Sequence, residues 1–317
     1  MGKLSRQSIV LASTALLVVL AGCGGGSGSA PADAMGRISL GISDGPISGA
    51  SKVCIVFTEV ELKGEGPSTT ITLDEPAKVN LLNFQGQNVF PLLFNEEIPA
   101  GEYQWMRLGV NAVRGTSGGA SDTSPTGDCV GLASYIWMEG GVFNLYVPSG
   151  AQSGLKLVGG FTVPDNDTVS FTAEFDLKKS IADPIGLLPD VILRPTIRLV
   201  NNDDVGTLTG QVGNDLATAF DSATETDCDP WVYVYDDFAE PHNIGLEDES
   251  VASAMVNSSE TNEGVTEYHY TVGFLPADMD YEVAFSCNGT TFEPVGGKPA
   301  TITAQSVTIV DFFSTDE

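Results

Sequence analysis

A two-residue alternation constrains this chain more than any other feature. Val169, Phe171, Ala173, Phe175 and Leu177 are apolar, and Ser170, Thr172, Glu174 and Asp176 between them are polar. A period of two sends the first set to one face of a strand and the second to the other, so the segment buries one side of a sheet and wets the other. Short runs of the same kind recur at Ile38 to Ile42, Tyr103 to Ala112, Ile136 to Met138, Val142 to Val147 and Val191 to Leu199, punctuated by Gly, Pro, Asn and Asp. This pattern predicts an all-β protein. Pro195 has no N–H to donate, which predicts an edge position for the last run. Val53-Cys54-Ile55-Val56-Phe57 is apolar on both faces and predicts a central strand covered on each side. One helical turn is expected near Lys178 to Ala182, ended by Pro184. Further strands are expected at Thr207 to Val212, Trp231 to Tyr235, Tyr268 to Phe274, Tyr281 to Cys287 and Val307 to Phe312. The polar, turn-prone Asn201-Asn202-Asp203-Asp204 separates the two sets, so two β-sandwich domains are expected, over residues 36–202 and 203–317.

The beginning of the chain reads differently. Lys3 and Arg6 precede an apolar run from Ile9 to Leu20, which is too short to span a bilayer and fits a signal peptide over residues 1–22. It ends in Leu20-Ala21-Gly22-Cys23, which resembles the lipobox of bacterial lipoproteins. That resemblance implies cleavage before Cys23, diacylglycerol on its thiol and a further acyl chain, such as palmitate, on its amine. At about 0.8 kcal/mol per buried methylene, several chains anchor a protein in a bilayer for good. Gly24 stands where inner-membrane lipoproteins often carry aspartate, so the resemblance favours the outer membrane. Residues 23–35 then form a Gly/Ser-rich tether reaching about 20 Å.

Four cysteines remain, an even number that suits an oxidising compartment. Three pairings are open to them, and the one that respects the domain boundary joins Cys54 to Cys129 and Cys228 to Cys287. There is no C-x-x-C and the chain has two histidines, which argues against zinc. Charge is divided unevenly: from Asp203 onward 23 acidic residues face the single basic Lys298, a net of −22 within the chain's −28. Nucleic acid, which needs a basic footprint, is excluded as a partner.

Candidate sites are few. Asp227, Asp229, Asp236, Asp237, Asp278 and Asp280 cluster near expected strand ends, where loop oxygens could hold a structural calcium; a merely solvated acidic rim is the alternative. Trp231, Tyr233 and Tyr235 share one face of a strand and Val232 and Val234 the other. If the valines face the core, the aromatics form an outer surface suited to stacking on sugar rings; otherwise that face packs on the first domain or a covering loop. Gly115-Thr116-Ser117-Gly118-Gly119 matches G-x-S-x-G but lacks the strand and helix that a nucleophile elbow needs. His242 and His269 have no acid and nucleophile spaced to join them. The chain is therefore expected not to be an enzyme, with an envelope hydrolase or a calcium-dependent adhesion protein as the alternative.

Both halves invite a family comparison. RISLGISDGP from Arg37, VCIVFTEVELK from Val53 and IPAGEYQWMRL from Ile98 resemble a bacterial lipoprotein family, domain of unknown function 4382, over about residues 36–200. GTLTGQV, VYVYD, FLPADMDYEVAF and ATITAQSVTIVDFF in the second half are similar to prealbumin-like, carboxypeptidase-regulatory-type sandwiches. The first resemblance implies a compartment and a fold but no activity, and the two sandwiches are expected to be of the Ig-like or prealbumin-like kind. The second type is grouped with carbohydrate-binding-like folds, which raises glycan binding by analogy. Ile98-Pro99-Ala100-Gly101-Glu102-Tyr103 is echoed by Leu275-Pro276-Ala277-Asp278-Met279-Asp280-Tyr281, each a proline turn delivering a strand that opens near tyrosine. The expectation is a binding or structural module tied to a lipid bilayer through Cys23, with an envelope glycan or protein as partner.

Overall fold

A computed structural model describes residues 34–45, 47, 49–113, 119, 121–139, 141–148, 154–182, 190–221, 226–236 and 250–314. The strands of the first half are β1 (Met35–Gly45), β2 (Ala50–Gly64), β3 (Thr69–Asn80), β4 (Phe90–Pro99), β5 (Gly101–Val110), β6 (Tyr135–Met138), β7 (Gly141–Tyr146), β8 (Leu155–Val163), β9 (Thr168–Asp176), β10 (Ile181–Ala182), β11 (Asp190–Leu193) and β12 (Ile197–Asn201). Those of the second half are β13 (Val205–Val212), β14 (Phe220–Asp221), β15 (Thr226–Asp227), β16 (Trp231–Asp236), β17 (Ala252–Met255), β18 (Asn257–Glu260), β19 (Thr266–Pro276), β20 (Met279–Ser286), β21 (Glu293–Ile302) and β22 (Val307–Ile309). The protein is all-β, built as two sandwiches.

In the first half a sheet ordered β12-β9-β1-β4 faces an eight-stranded sheet ordered β10-β11-β7-β6-β2-β5-β8, with β3 along the other side of β2. Phe171, Ala173 and Phe175 of β9 enter the core between them, as their alternation predicts. β1 lies parallel to β9 with Ile38, Leu40 and Ile42 facing inward beside them. Both faces of β2 are covered: Val53, Cys54, Ile55, Val56 and Phe57 are all essentially inaccessible. The run expected as one strand from Val191 to Leu199 is two strands in different sheets, β11 and β12. Pro195 lies in the crossing, which needs no ladder donor, and β12 is an edge. The expected helical turn is Leu177–Ser180, with the Asp176 carboxylate accepting the Lys179 N–H at its start.

In the second half sheets β18-β19-β13-β22 and β17-β16-β20-β21 enclose a second core around Leu208, Val232, Val234, Val272, Val283 and Ile302. No strand pairing among the described residues crosses Asn202–Asp204. The echoed turns share one device. Tyr103 Oη donates to the Pro99 carbonyl at 2.7 Å, and Tyr281 Oη to the Pro276 carbonyl at 3.0 Å, each buried tyrosine closing the turn it follows. Asp278 adopts φ +57, the left-handed conformation a glycine would supply there. No helix among the described residues is long and apolar enough to cross a membrane.

Candidate functional site

Each half carries one disulfide. Cys54 bonds Cys129 and Cys228 bonds Cys287, closing loops of 75 and 59 residues. The first holds a covering segment over the second face of β2. Beside it, fully buried Lys52 gives its ammonium three acceptors: the Asp122 carboxylate at 2.8 Å and the carbonyls of Ser124 and Asp128 at 2.8 and 3.3 Å. Tyr135 Oη donates to the same Asp122 oxygen at 2.5 Å. Burial pushes the Asp122 carboxyl up, but hydrogen bonds from Lys52, Tyr135 and the Ser124 amide overcome it and hold the group below its ordinary range. With every N–H and both partners satisfied, this is a structural staple.

The aromatic strip on β16 is not an outer surface. Trp231, Tyr233 and Tyr235 are 4%, 2% and 0% exposed, and pack with Ala284 and Phe292 in a small cluster of their own. Both faces of β16 are therefore interior, the valines toward the sandwich core and the aromatics beneath Phe292 and the first half. Lys178, from the first half's helical turn, sets its ammonium 4.9 Å from the Trp231 ring centre and 5.1 Å from that of Tyr233. Burial pushes the Tyr233 hydroxyl up to about 12, aided by Tyr235 and Asp229, so the ring stays neutral. Next to it Lys179 Nζ donates to the Ser250 carbonyl at 2.8 Å. At the far side of the junction Gln87 Nε2 donates to Thr207 Oγ1 at 2.7 Å. Gly273 allows the close approach there, since a Cβ on it would lie 2.1 Å from the Gly86 carbonyl oxygen.

Between these contacts a cavity of about 300 Å³ opens, bordered by Glu174, Asn83, Gln85, Asn88 and Asn257. Glu174 pairs with Arg198 at its rim. Burial carries the Glu174 carboxyl up to about 7, with Arg198 opposing and Asp176 reinforcing. Asp44 ends the inward row of β1, 2% exposed, and neither carboxyl oxygen has a hydrogen-bond partner. Burial holds it well above the usual carboxylate range; the Leu177 amide opposes from outside hydrogen-bond geometry, and Asp176 and Glu174 reinforce.

The remaining candidates fall apart spatially or lie outside the described residues. Among the described residues no three His, Cys, Asp or Glu side chains stand together to hold a metal ion. Asp227 and Asp229 flank Cys228, Asp236 ends β16, and Asp278 and Asp280 border the turn into β20. Cys23, Ser117, Asp237 and His242 are outside the described residues. His269 pairs with Glu267 at 3.2 Å on partly exposed β19.

An accessible aromatic does exist, on the other half. Tyr103 is core, and strict alternation would make Trp105 core as well, but a bulge at Gln104 shifts the phase of β5. Met106, Leu108 and Val110 then face inward, and Trp105 and Arg107 turn outward. Lys63 of β2 and Val158 of β8 lie opposite Trp105, and Glu61 and Lys156 lie opposite Arg107. Lys156 Nζ is 4.6 Å from the Trp105 ring centre and the Arg107 guanidinium 5.7 Å. Arg107 also pairs with Glu61. The irregular phase hides Trp105 from periodicity; the glycine pair Gly159-Gly160 on β8, beside the register shift, is the available sequence sign.

Comparison with curated proteins found no match. Among solved structures the chain is similar to a DUF1812 protein of Bacteroides thetaiotaomicron VPI-5482, a candidate polysaccharide-binding protein, at 10% identity and a TM-score of 0.19, covering 84% of this chain and 80% of that one. It is also similar to the shaft pilin SpaA of Lactobacillus rhamnosus GG, at 9% identity and 0.18, covering 89% and 100%. The major pilin of Streptococcus pyogenes gives 12% and 0.14, covering 88% and 99%. Likenesses this faint carry no conclusion about ligands. The family model described as Domain of unknown function (DUF4382) matches residues 35–195, the span that holds the opening motif and both sheets of the first sandwich through β11. The chain belongs to the DUF4382 family.

Proposed function

We propose that this chain is a lipid-anchored module of the cell envelope that works by binding, with an envelope glycan ahead of a protein as its partner. In this reading the signal peptide is removed before Cys23, acyl chains on that residue seat the protein in the outer membrane, and the Gly/Ser stretch lets two braced sandwiches stand just off the bilayer. The observation that carries the envelope placement is the pair of disulfides, one in each half, because such bonds persist where thiols are not kept reduced. Burial of the β16 aromatics supports a rigid body over a deep aromatic groove and leaves recognition to the exposed sheet faces. Lys52, buried with all three N–H groups engaged, braces the first sandwich and is not offered to a ligand. Fractionation of cells making the wild type or Cys23→Ser tests the anchor: the wild type is expected in the outer-membrane fraction and the variant in the soluble periplasm. Retention of the variant in the membrane would overturn the lipid tether. An array of envelope polysaccharides tests the partner class, and saturable binding to none of them would overturn the glycan reading.

A further inference from the structure

Most of this protein is acidic, and one face of it sets cations over an aromatic ring. Of the chain's acidic residues 23 lie in the second half, whereas Lys156 and Arg107 stand over Trp105 on the outer face of the eight-stranded sheet, and Lys63 opposite it gives its ammonium to the Gly66 carbonyl. Glu61 pairs with Arg107 and Glu59 lies opposite Gly109 on the same face, so Lys156 is the cation that gives this edge its sign. Electrostatic fields are screened within about 8 Å at physiological salt, so these local cations set what approaches the ring, not the charge of the distant half.

The shape of this face matters as much as its sign. β8 is the sheet's edge, its Val158 is 81% exposed, and a Cβ on Gly159 would meet nothing within 4 Å. Among the described residues the β8 side of the ring therefore meets only the exposed Val158 and the open Gly159. Lys156 is itself exposed and rests over the ring, the position from which an anionic group bound alongside can draw the ammonium aside and leave the π face open. A flat aromatic with flexible cations at its rim suits a pyranose ring carrying a carboxylate: the ring's C–H face packs on the indole while the acid meets ammonium and guanidinium.

We propose that the outer face of the β5–β8 edge is a binding site for an acidic polysaccharide of the uronate type, with Trp105 stacking on a sugar ring and Lys156, backed by the Glu61-paired Arg107, meeting its carboxylates. The proposal rests on the glycan-binding reading above and names its ligand class and its place. The test is titration of the full chain in detergent with an alginate hexamer and, in parallel, a neutral maltohexaose. The hexauronate is expected to bind saturably and more weakly as sodium chloride rises, and the maltohexaose not to bind. Trp105→Ala should lower the affinity at least tenfold. Lys156→Gln should lower it several-fold and flatten the salt dependence, while Lys78→Gln, on β3, leaves both unchanged. Circular dichroism confirms that each variant is folded. Failure of the hexauronate to bind, equal binding of the neutral hexamer, or affinity untouched by Trp105→Ala would each overturn the site. If other glycans bind on the array with Trp105→Ala as tightly as with the wild type, this site falls and the broader reading stands. If no glycan binds, both fall.

Discussion

Replacing Glu174 by glutamine should remove one limb of the protein's stability–pH curve. Glu174 points out of the first sandwich toward the second, its side chain 12% accessible and paired with Arg198. Burial nevertheless carries its carboxyl to about 7, Arg198 pulling down and Asp176 pushing up, whereas an unfolded glutamate titrates near 4.5. The native state thus holds this proton more tightly than the unfolded state. The stability so gained is complete below about pH 4.5 and is lost as pH rises through 7. A gap of this size corresponds to at most about 3 kcal/mol, and water reaching the partly open side chain brings it to about 2 kcal/mol. Urea unfolding of the wild type and Glu174→Gln at pH 4.5, 6 and 8, at constant ionic strength, measures the difference directly. The stability of the wild type relative to the variant should fall by about 2 kcal/mol across that range, most of it between pH 5 and 7. Parallel curves, or a wild type that gains on the variant as pH rises, would refute burial as the dominant influence on this group.

Three further outcomes follow from the buried groups. Trp231→Ala should cost about 3–5 kcal/mol in urea unfolding, as for a core aromatic, where a surface residue would cost under about 0.5 kcal/mol. Lys52→Met should cost about 3–5 kcal/mol by stranding the buried Asp122 carboxylate, and adding Asp122→Leu should recover most of the loss in the same assay. Asp44→Asn should gain on the wild type as pH rises, because ionising Asp44 exposes an unpartnered charge to the interior; equal pH dependence in thermal melts would contradict this.

How much of this was legible in the chain depends on which neighbours a residue meets. The alternation at β9 and the two-sided apolar run at β2 were readable because each strand's own residues record what covers it. The same rule applied to Trp-Val-Tyr-Val-Tyr would have buried both faces of β16, since that run has no charged position; treating tyrosine and tryptophan as surface-capable hid this. The covering elements, Phe292 and Lys178, are 61 and 53 residues from Trp231 in sequence, and no local pattern announces them. Pro195 signals a missing ladder donor and adjoins the edge strand β12, but it lies in the crossing between two sheets and not within a strand. Trp105 was hidden for the opposite reason: a bulge moved it from the face that strict alternation assigns. The aspartates show the limit of counting, because among the described residues their abundance brings no three metal-ligating side chains together.

The proposed place of this protein in the outer membrane depends on one covalent modification, at Cys23. Intact-mass and peptide mass spectrometry of the native protein extracted from membranes would read it directly. The account predicts a first residue of Cys23 carrying diacylglycerol on sulfur and an acyl chain on nitrogen. A chain that still starts at Met1, or a Cys23 with no lipid, would contradict it.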